Sequence, residues 1–171
     1  MPIPPKIPFI KEMLIFMHKY IERIVNVAGD GKCGYRAVSG LFGNGKDSHT
    51  LARYQLIQEL KKHKDSYMRL YGEEVKFEAV NEALVPWLGA YAPVSKWMRF
   101  LKMGHLIACA YDSVCIDLTR YGFLETFFPL HTAPSTNPND HIMCIGWLSN
   151  SSHFVQVYLK PRCPIPPTSP E

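Results

Sequence analysis

The sequence lacks the features that mark membrane, disulfide-rich and nucleic-acid-binding proteins. No apolar run reaches the roughly 18 to 20 residues that a membrane-spanning helix needs. The net charge of +4 is spread along the chain without Lys/Arg blocks, so nucleic acid is not indicated as a partner. The five cysteines are odd in number and irregularly spaced, and no signal-peptide pattern precedes them. We therefore expect reduced thiols, no membrane partner, and a location inside the cell, in the cytoplasm or nucleus.

The length and apolar content suit one globular domain that is mainly helical in its first two-thirds. With 171 residues, of which 47% are apolar, the chain can bury a core of its own. Apolar residues at helical spacing predict successive helices. Three of them run over 9–24, from Cys33 to about Leu41, and over 73–84. Another begins after an N-cap at Ser48. The last runs from an N-cap at Ser95 to a break at Gly104 and resumes over 105–111.

After residue 112 the pattern changes to β-branched and aromatic runs separated by Gly, Pro, Asn and Ser. These runs predict antiparallel strands over 114–118, 123–130, 142–148 and 154–159. The expected fold class is therefore α+β, with helices packed on a small, mostly antiparallel sheet. Prolines cluster at both ends, which predicts an arm with an N-terminal helix over 1–20 and a tail over 161–171. The tryptophans are expected in the core: Trp87, Trp97 and Trp147.

Cys33 and His153 are the residues that best match a thiol-dependent hydrolase. Such an enzyme needs a thiolate, a base within hydrogen-bond reach and backbone donors for an oxyanion. Cys33 opens a predicted helix, where unpaired N–H groups and the helix dipole are expected to lower the pKa of the thiol. Gly31 and Lys32, just before it, can direct amides at the oxyanion. His153 follows a polar turn at the start of a strand, a fixed frame beside a cleft.

The segment 29–38, Gly-Asp-Gly-Lys-Cys-Gly-Tyr-Arg-Ala-Val, resembles the nucleophile signature of ovarian-tumour (OTU) domain cysteine proteases, most of which are deubiquitinases. The segment 152–157, Ser-His-Phe-Val-Gln-Val, is similar to the catalytic histidine block of that family. The segments 127–130 and 163–167 are closer in look to OTU-like domains of plant Mutator-type transposable elements. The resemblance extends over 21–167.

The resemblance implies a papain-like OTU fold with a catalytic domain over 21–160. It also implies a thiol-dependent ubiquitinyl hydrolase, in which Cys33 attacks and His153 is the base. The substrate would be the peptide or isopeptide bond after the C-terminal glycine of ubiquitin or a ubiquitin-like protein, including polyubiquitin chains. A monomer is expected.

One position departs from the family pattern. Many OTU domains carry Asp or Asn two residues after the histidine to orient the imidazole, and here that residue is Val155. Asp30, which matches a position treated as catalytic in the family, and Asn150, in the turn before His153, are the two substitutes. The orienting role is left open between them. Val155 favours one alternative, a catalytically weak or inactive ubiquitin-binding module. The mild basicity of the chain permits another, a DNA-associated accessory domain of a transposon-encoded protein.

No metal or cofactor is predicted. His105 and Cys109 lie four residues apart and would share a helix face, but no further ligand with recognisable spacing follows them. Core packing is therefore the preferred interpretation of both residues and of Cys115. His131 and His141 flank a polar Pro/Asn loop, and exposure explains both without a ligand role.

Overall fold

The computed structural model describes residues 6–119, 124–131 and 142–164. Within these residues five α-helices and a five-stranded sheet form an α+β fold, as predicted. No helix in the described ranges has the length and apolar character to cross a membrane.

The helices come mainly from the part of the chain before residue 112. Each has an apolar stripe on its core side, and a left-handed glycine ends two of them, Gly43 after the first and Gly72 after the third. Their bounds are α1 Cys33–Phe42, α2 His49–Lys62, α3 Lys64–Tyr71, α4 Glu74–Leu84 and α5 Phe100–Tyr111.

The sheet comes mainly from the last third of the chain. The strands are β1 Ile21–Val25, β2 Val114–Leu118, β3 Leu124–Phe127, β4 Ile142–Leu148 and β5 His153–Leu159. Their order is β1-β5-β4-β2-β3, and every neighbouring pair is antiparallel except β2 and β4. β2 is buried along its whole length, with Asp117 among apolar residues, which shows that both faces of the sheet are covered.

The two faces of the sheet carry separate apolar cores. The larger core lies between the sheet and the helices and contains Tyr35, Leu56 and Phe127. The smaller core lies on the opposite face, where Met13 and Met17 from the N-terminal segment cover the sheet. The described part of the arm is therefore packed on the domain.

A buried polar cluster fixes α1 to the other helices. Arg53 is fully buried, and its guanidinium carbon lies 3.9 Å from the centroid of the Tyr35 ring. Its two terminal nitrogens donate to the carbonyl oxygens of Ala83, at 2.5 Å, and Lys96, at 3.1 Å. Because removing any partner would leave a buried donor unpaired, this cluster constrains where α1 begins and hence where Cys33 lies.

Glycine allows two close approaches in the core. An added Cβ at Gly104 would lie 2.5 Å from the Phe127 ring, so glycine lets α5 pack against β3. An added Cβ at Gly40 would overlap the side-chain amide of Gln156, so glycine also lets α1 pack against β5. The prediction that Gly104 breaks a helix is thus wrong, because this glycine lies inside α5.

Other predictions differ from the structure at particular places. The expected helix over 9–24 is instead two 3-10 segments, Ile10–Glu12 and Ile15–Tyr20, followed by β1. Trp87 is half exposed and not in the core. The strand predicted over 123–130 is described only as Leu124–Phe127, and most of the predicted tail lies outside the described residues.

Candidate active site

Cys33 and the start of β5 are brought together by the packing of α1 on the sheet. The sulfur belongs to the first residue of α1, and His153 is the first residue of β5. The backbone N–H of Phe154 donates to the Cys33 sulfur, with nitrogen and sulfur 3.5 Å apart. Two residues that are 120 positions apart in sequence therefore lie on adjoining elements.

The imidazole of His153 is oriented by Asn26, which the sequence reasoning missed. Its Nε2 lies 2.8 Å from the side-chain oxygen of Asn26, and the same oxygen accepts the backbone N–H of Val27 at 2.9 Å. An oxygen that accepts from Val27 also accepts from the ring, so Nε2 carries the ring proton and Nδ1 is the basic nitrogen. Nδ1 faces the nucleophile loop, 3.8 Å from where a Cβ on Gly29 would lie.

The pairing of β1 with β5 explains why Asn26 reaches the ring. Val25 is opposite Gln156 in this antiparallel pair, so the residues after Val25 run toward the start of β5. Val155 is fully buried in the smaller core, where an apolar side chain is needed. The sequence carries no signal for this contact, because it depends on the strand register, which places the residue just after β1 beside the start of β5.

Burial keeps both members of the pair uncharged. It raises the pKa of the Cys33 thiol, an effect that the N–H groups of Phe154 and Gly34 only partly offset. It lowers the pKa of His153, although a hydrogen bond with the backbone of Val27 acts in the opposite direction. The expected lowering of the Cys33 pKa is therefore wrong for this conformation, because desolvation outweighs the helix N-terminus. Both shifts favour the neutral forms, an uncharged thiol and an uncharged imidazole.

Asp30 braces the nucleophile loop. One carboxylate oxygen accepts the Lys32 backbone N–H at 3.1 Å, and the other accepts from the Arg36 guanidinium at 2.7 Å. Burial acts to raise the pKa of Asp30, but the hydrogen bonds from Arg36 and from the Lys32 amide outweigh it, so the pKa lies below the ordinary value. Asp30 thus stabilises the loop before Cys33 and is held by Arg36, while the ring nitrogen is held by Asn26.

The predicted oxyanion residues occupy different situations. Gly31 has a φ of 80°, and an added Cβ would lie 2.5 Å from the Ala92 carbonyl oxygen, so this tight turn requires glycine. The Lys32 N–H is already donated to Asp30 and is not directed at the sulfur. The amides of Phe154, Gly34 and Cys33 itself act on the sulfur and lower the pKa of the thiol. The oxyanion role of Gly31 and Lys32 stays a prediction.

Asn150 lies in the exposed turn between β4 and β5. Among the described residues, the ring hydrogen bond of His153 is made by Asn26 and not by Asn150. The catalytic roles of Cys33, His153 and Asp30 stay predictions, and the geometry adds Asn26 to the candidates.

An exposed apolar loop, residues 85–94, is fixed beside the nucleophile loop. The Ala92 backbone N–H donates to the Asp30 carbonyl at 2.9 Å, and the Lys32 ammonium donates to the Gly89 carbonyl at 3.0 Å. The loop nevertheless exposes large apolar side chains, with Leu88 98% and Tyr91 76% exposed. Apolar groups held in water next to a candidate nucleophile are typical of a surface that binds another molecule.

This mixed helix and sheet fold has a cysteine at the start of α1 and a histidine at the start of β5. The fold is that of OTU domains. The chain is similar to the OTU domain of OTUD1, at 20% identity over 80% of this chain and 85% of that chain, with a TM-score of 0.52. It is also similar to the viral OTU domain protease from Dera Ghazi Khan virus, at 10% identity over 84% and 83%, with a TM-score of 0.57.

A third similar structure is the Hazara virus OTU bound to ubiquitin, at 14% identity over 84% of each chain, with a TM-score of 0.54. No family model matches the chain, and no curated protein matches it in sequence. At these identities the likeness establishes the fold. The closer resemblance to domains of plant transposable elements stays a prediction.

Proposed function

We propose that the protein is a cysteine-dependent hydrolase that cleaves the peptide or isopeptide bond after the C-terminal glycine of ubiquitin or a ubiquitin-like protein. The observation that carries the proposal is the 3.5 Å contact between the Phe154 amide nitrogen and the Cys33 sulfur, with the His153 ring held by Asn26. The shared fold of OTU domains, one of them bound to ubiquitin, supports the substrate class.

The proposed reaction is acyl transfer through the sulfur of Cys33. Nδ1 of His153 takes the thiol proton as the sulfur attacks the carbonyl carbon, and amides near the sulfur stabilise the oxyanion. The imidazolium then gives the proton to the leaving amine, and a thioester forms. A water molecule, deprotonated by the imidazole, attacks the thioester, which releases the carboxylate and restores the thiol. Asn26 holds the ring throughout and stabilises its charged form.

The exposed apolar loop is proposed to contact the substrate protein. The loop is hydrogen-bonded to Asp30 and Lys32, which lie just before Cys33. A substrate protein that binds Leu88 and Tyr91 therefore has its C-terminal tail close to Cys33. Binding energy gained there favours a tethered protein tail over a free short peptide. This predicts that intact ubiquitin substrates are cleaved faster than peptides of the same C-terminal sequence.

The test is covalent labelling by ubiquitin that carries a C-terminal electrophile, followed by cleavage of a panel of di-ubiquitins. Labelling should be lost in Cys33→Ala and in His153→Ala. Asp30→Ala should reduce labelling, because it removes the carboxylate that stabilises the loop before Cys33. Asn150→Ala should be labelled as efficiently as wild type. Labelling that persists in Cys33→Ala, or no labelling and no cleavage by the wild type, would contradict the proposal.

A second candidate function is a catalytically silent module that binds ubiquitin. The neutral, partly buried thiol of Cys33 and the apolar Val155 favour it. This candidate predicts that ubiquitin binds without labelling Cys33, and that Cys33→Ala binds as tightly as wild type. Efficient labelling at neutral pH would eliminate it.

The same proposal places the protein inside the cell, in the cytoplasm or nucleus, where it acts as a monomer on polyubiquitin chains. All five cysteines lie in described parts of the chain and are free thiols, as expected for a reducing compartment. Size-exclusion chromatography with light scattering tests the oligomeric state, and a fluorescent fusion tests the location.

A further inference from the structure

We propose that Glu59, His63 and His131 form a binding site for a zinc-class divalent cation, with a water molecule as the fourth ligand. The site goes beyond the proposed hydrolase and uses none of its residues. Glu59 lies in the last turn of α2, His63 at the junction of α2 and α3, and His131 in the segment that follows β3. The cation would link this helix junction to that segment.

The geometry brings one ligand atom from each residue close to the other two. The three atoms lie within 4.8 Å of one another. Around tetrahedral zinc, bonds of about 2.0 to 2.1 Å place neighbouring ligand atoms about 3.3 Å apart, so the atoms need to close by about 1.5 Å at most. Side-chain torsions can supply a movement of this size. The imidazoles of His63 and His131 are stacked, with ring centroids 4.0 Å apart, so the rings lie close together and must rotate about their side-chain torsions to direct their lone pairs at the ion.

Contacts with Tyr67 and His131 hold the Glu59 carboxylate in place. The Glu59 side chain is only 13% exposed, and one oxygen accepts the Tyr67 hydroxyl at 2.9 Å and lies 3.4 Å from Nε2 of His131. A nearly buried carboxylate facing two imidazoles is favourable when a cation lies between them. The Tyr67 hydroxyl supplies the outer hydrogen bond that commonly orients a metal-ligating carboxylate.

The position of His131 is fixed by the neighbouring backbone. The Leu130 N–H donates to the Cys109 sulfur at 3.1 Å, which attaches the segment to α5. His131 itself remains partly exposed, so a water molecule can reach the fourth position. Two imidazoles and one carboxylate are ligands that zinc, cobalt and nickel prefer, whereas magnesium and calcium prefer oxygen alone.

Lysines surround His63 in sequence, but they do not enter the site. Lys61 and Lys62 are exposed, and the Lys64 ammonium lies over the Phe77 ring, 5.7 Å from its centroid. The positive charges of these lysines act on a bound cation only across solvent, where screening is strong, so they lower the affinity of the site for the cation only weakly. No metal-binding spacing is visible in the sequence, because His131 comes from a distant part of the chain.

The experiment measures metal retained by the untagged full chain after equilibration with zinc and dialysis. We expect about one zinc per chain for wild type, for Cys33→Ala and for the matched control His18→Ala, whose histidine lies outside the cluster. Retention should fall at least about tenfold in His63→Ala and in Glu59→Gln. Circular dichroism verifies that each variant is folded.

Cobalt substitution of the wild type gives a readout that does not depend on a variant folding. Tetrahedral cobalt should show strong visible bands without a sulfur-to-cobalt charge-transfer band, because no thiolate is among the ligands. The proposal is wrong if the wild type retains no metal, if the sulfur band appears, or if Cys33→Ala loses the metal while His63→Ala keeps it. The last result would place the cation at the candidate active site.

Discussion

The hydrogen bond between Asn26 and His153 is expected to control turnover. Asn26→Ala removes the oxygen that lies 2.8 Å from Nε2. A hydrogen bond to a neutral group contributes about 0.5 to 1.5 kcal/mol, and one to a charged group about 1.5 to 3 kcal/mol. The ring becomes charged during the reaction, but Asn26 is exposed, so water replaces part of the lost bond. We therefore expect a loss just below the charged range, about 1.4 kcal/mol or tenfold in kcat.

The assay is steady-state cleavage of a fluorogenic amide at the C-terminus of ubiquitin. KM should stay unchanged, because the ring charge develops only after the substrate binds. Asn26→Asp keeps an acceptor and adds a negative charge, so it should retain more activity than Asn26→Ala and raise the pKa of the acid limb of kcat. Asn150→Ala is the matched control and should behave as wild type.

A specific outcome refutes this reasoning. If Asn26→Ala keeps kcat within about twofold of wild type while His153→Ala is inactive, the hydrogen bond does not orient the base. A fall in thermal stability of Asn26→Ala that matches its loss of activity would also count against a positioning role.

Three further predictions concern pH, substrate binding and packing. Because burial lowers the pKa of His153, the acid limb of the kcat/KM profile should lie below the ordinary imidazole pKa of 6.5. Because burial raises the pKa of Cys33, the rate of alkylation by iodoacetamide should still increase above pH 9.0. An alkylation rate that is already fast and constant at pH 7 would contradict the second expectation. Leu88→Ser should raise KM for ubiquitin substrates several-fold and leave kcat unchanged, whereas Val75→Ser, at another exposed apolar position, should change neither. Gly104→Ala should destabilise the fold by about 1 to 3 kcal/mol, seen as a fall in Tm of about 2 to 10 °C, because the new methyl group overlaps an aromatic ring.

The sequence predicted elements best where burial on both faces produced a mostly apolar run. β2 and β4 begin and end at the predicted residues for that reason, although β2 contains the buried Asp117. The N-terminal segment was predicted incorrectly, because Met13, Met17 and Ile21 are spaced as on a helix. These residues instead pack on the sheet from 3-10 turns and a strand, so tertiary contacts override the periodicity.

The candidate site was predictable in its local parts and not in its long-range ones. The loop before Cys33 has a sequence signature, and so does the residue that starts β5. Asn26 has none: it lies between two valines and is 127 positions from His153. Its role depends on strand register, which the pattern of one strand alone cannot establish. The pKa of Cys33 was also misjudged, because the sequence shows the helix start but not the burial of the sulfur.

The glycine at position 40 has a consequence for how this domain can change over time. It sits on the helix that carries the thiol, and Gln156, the side chain it accommodates, sits on the strand that carries the imidazole. A single added methyl group would act as a wedge and widen the gap between the two reacting groups without altering either one. We expect this position to behave in a mutational scan as an activity-determining residue, although it touches no substrate.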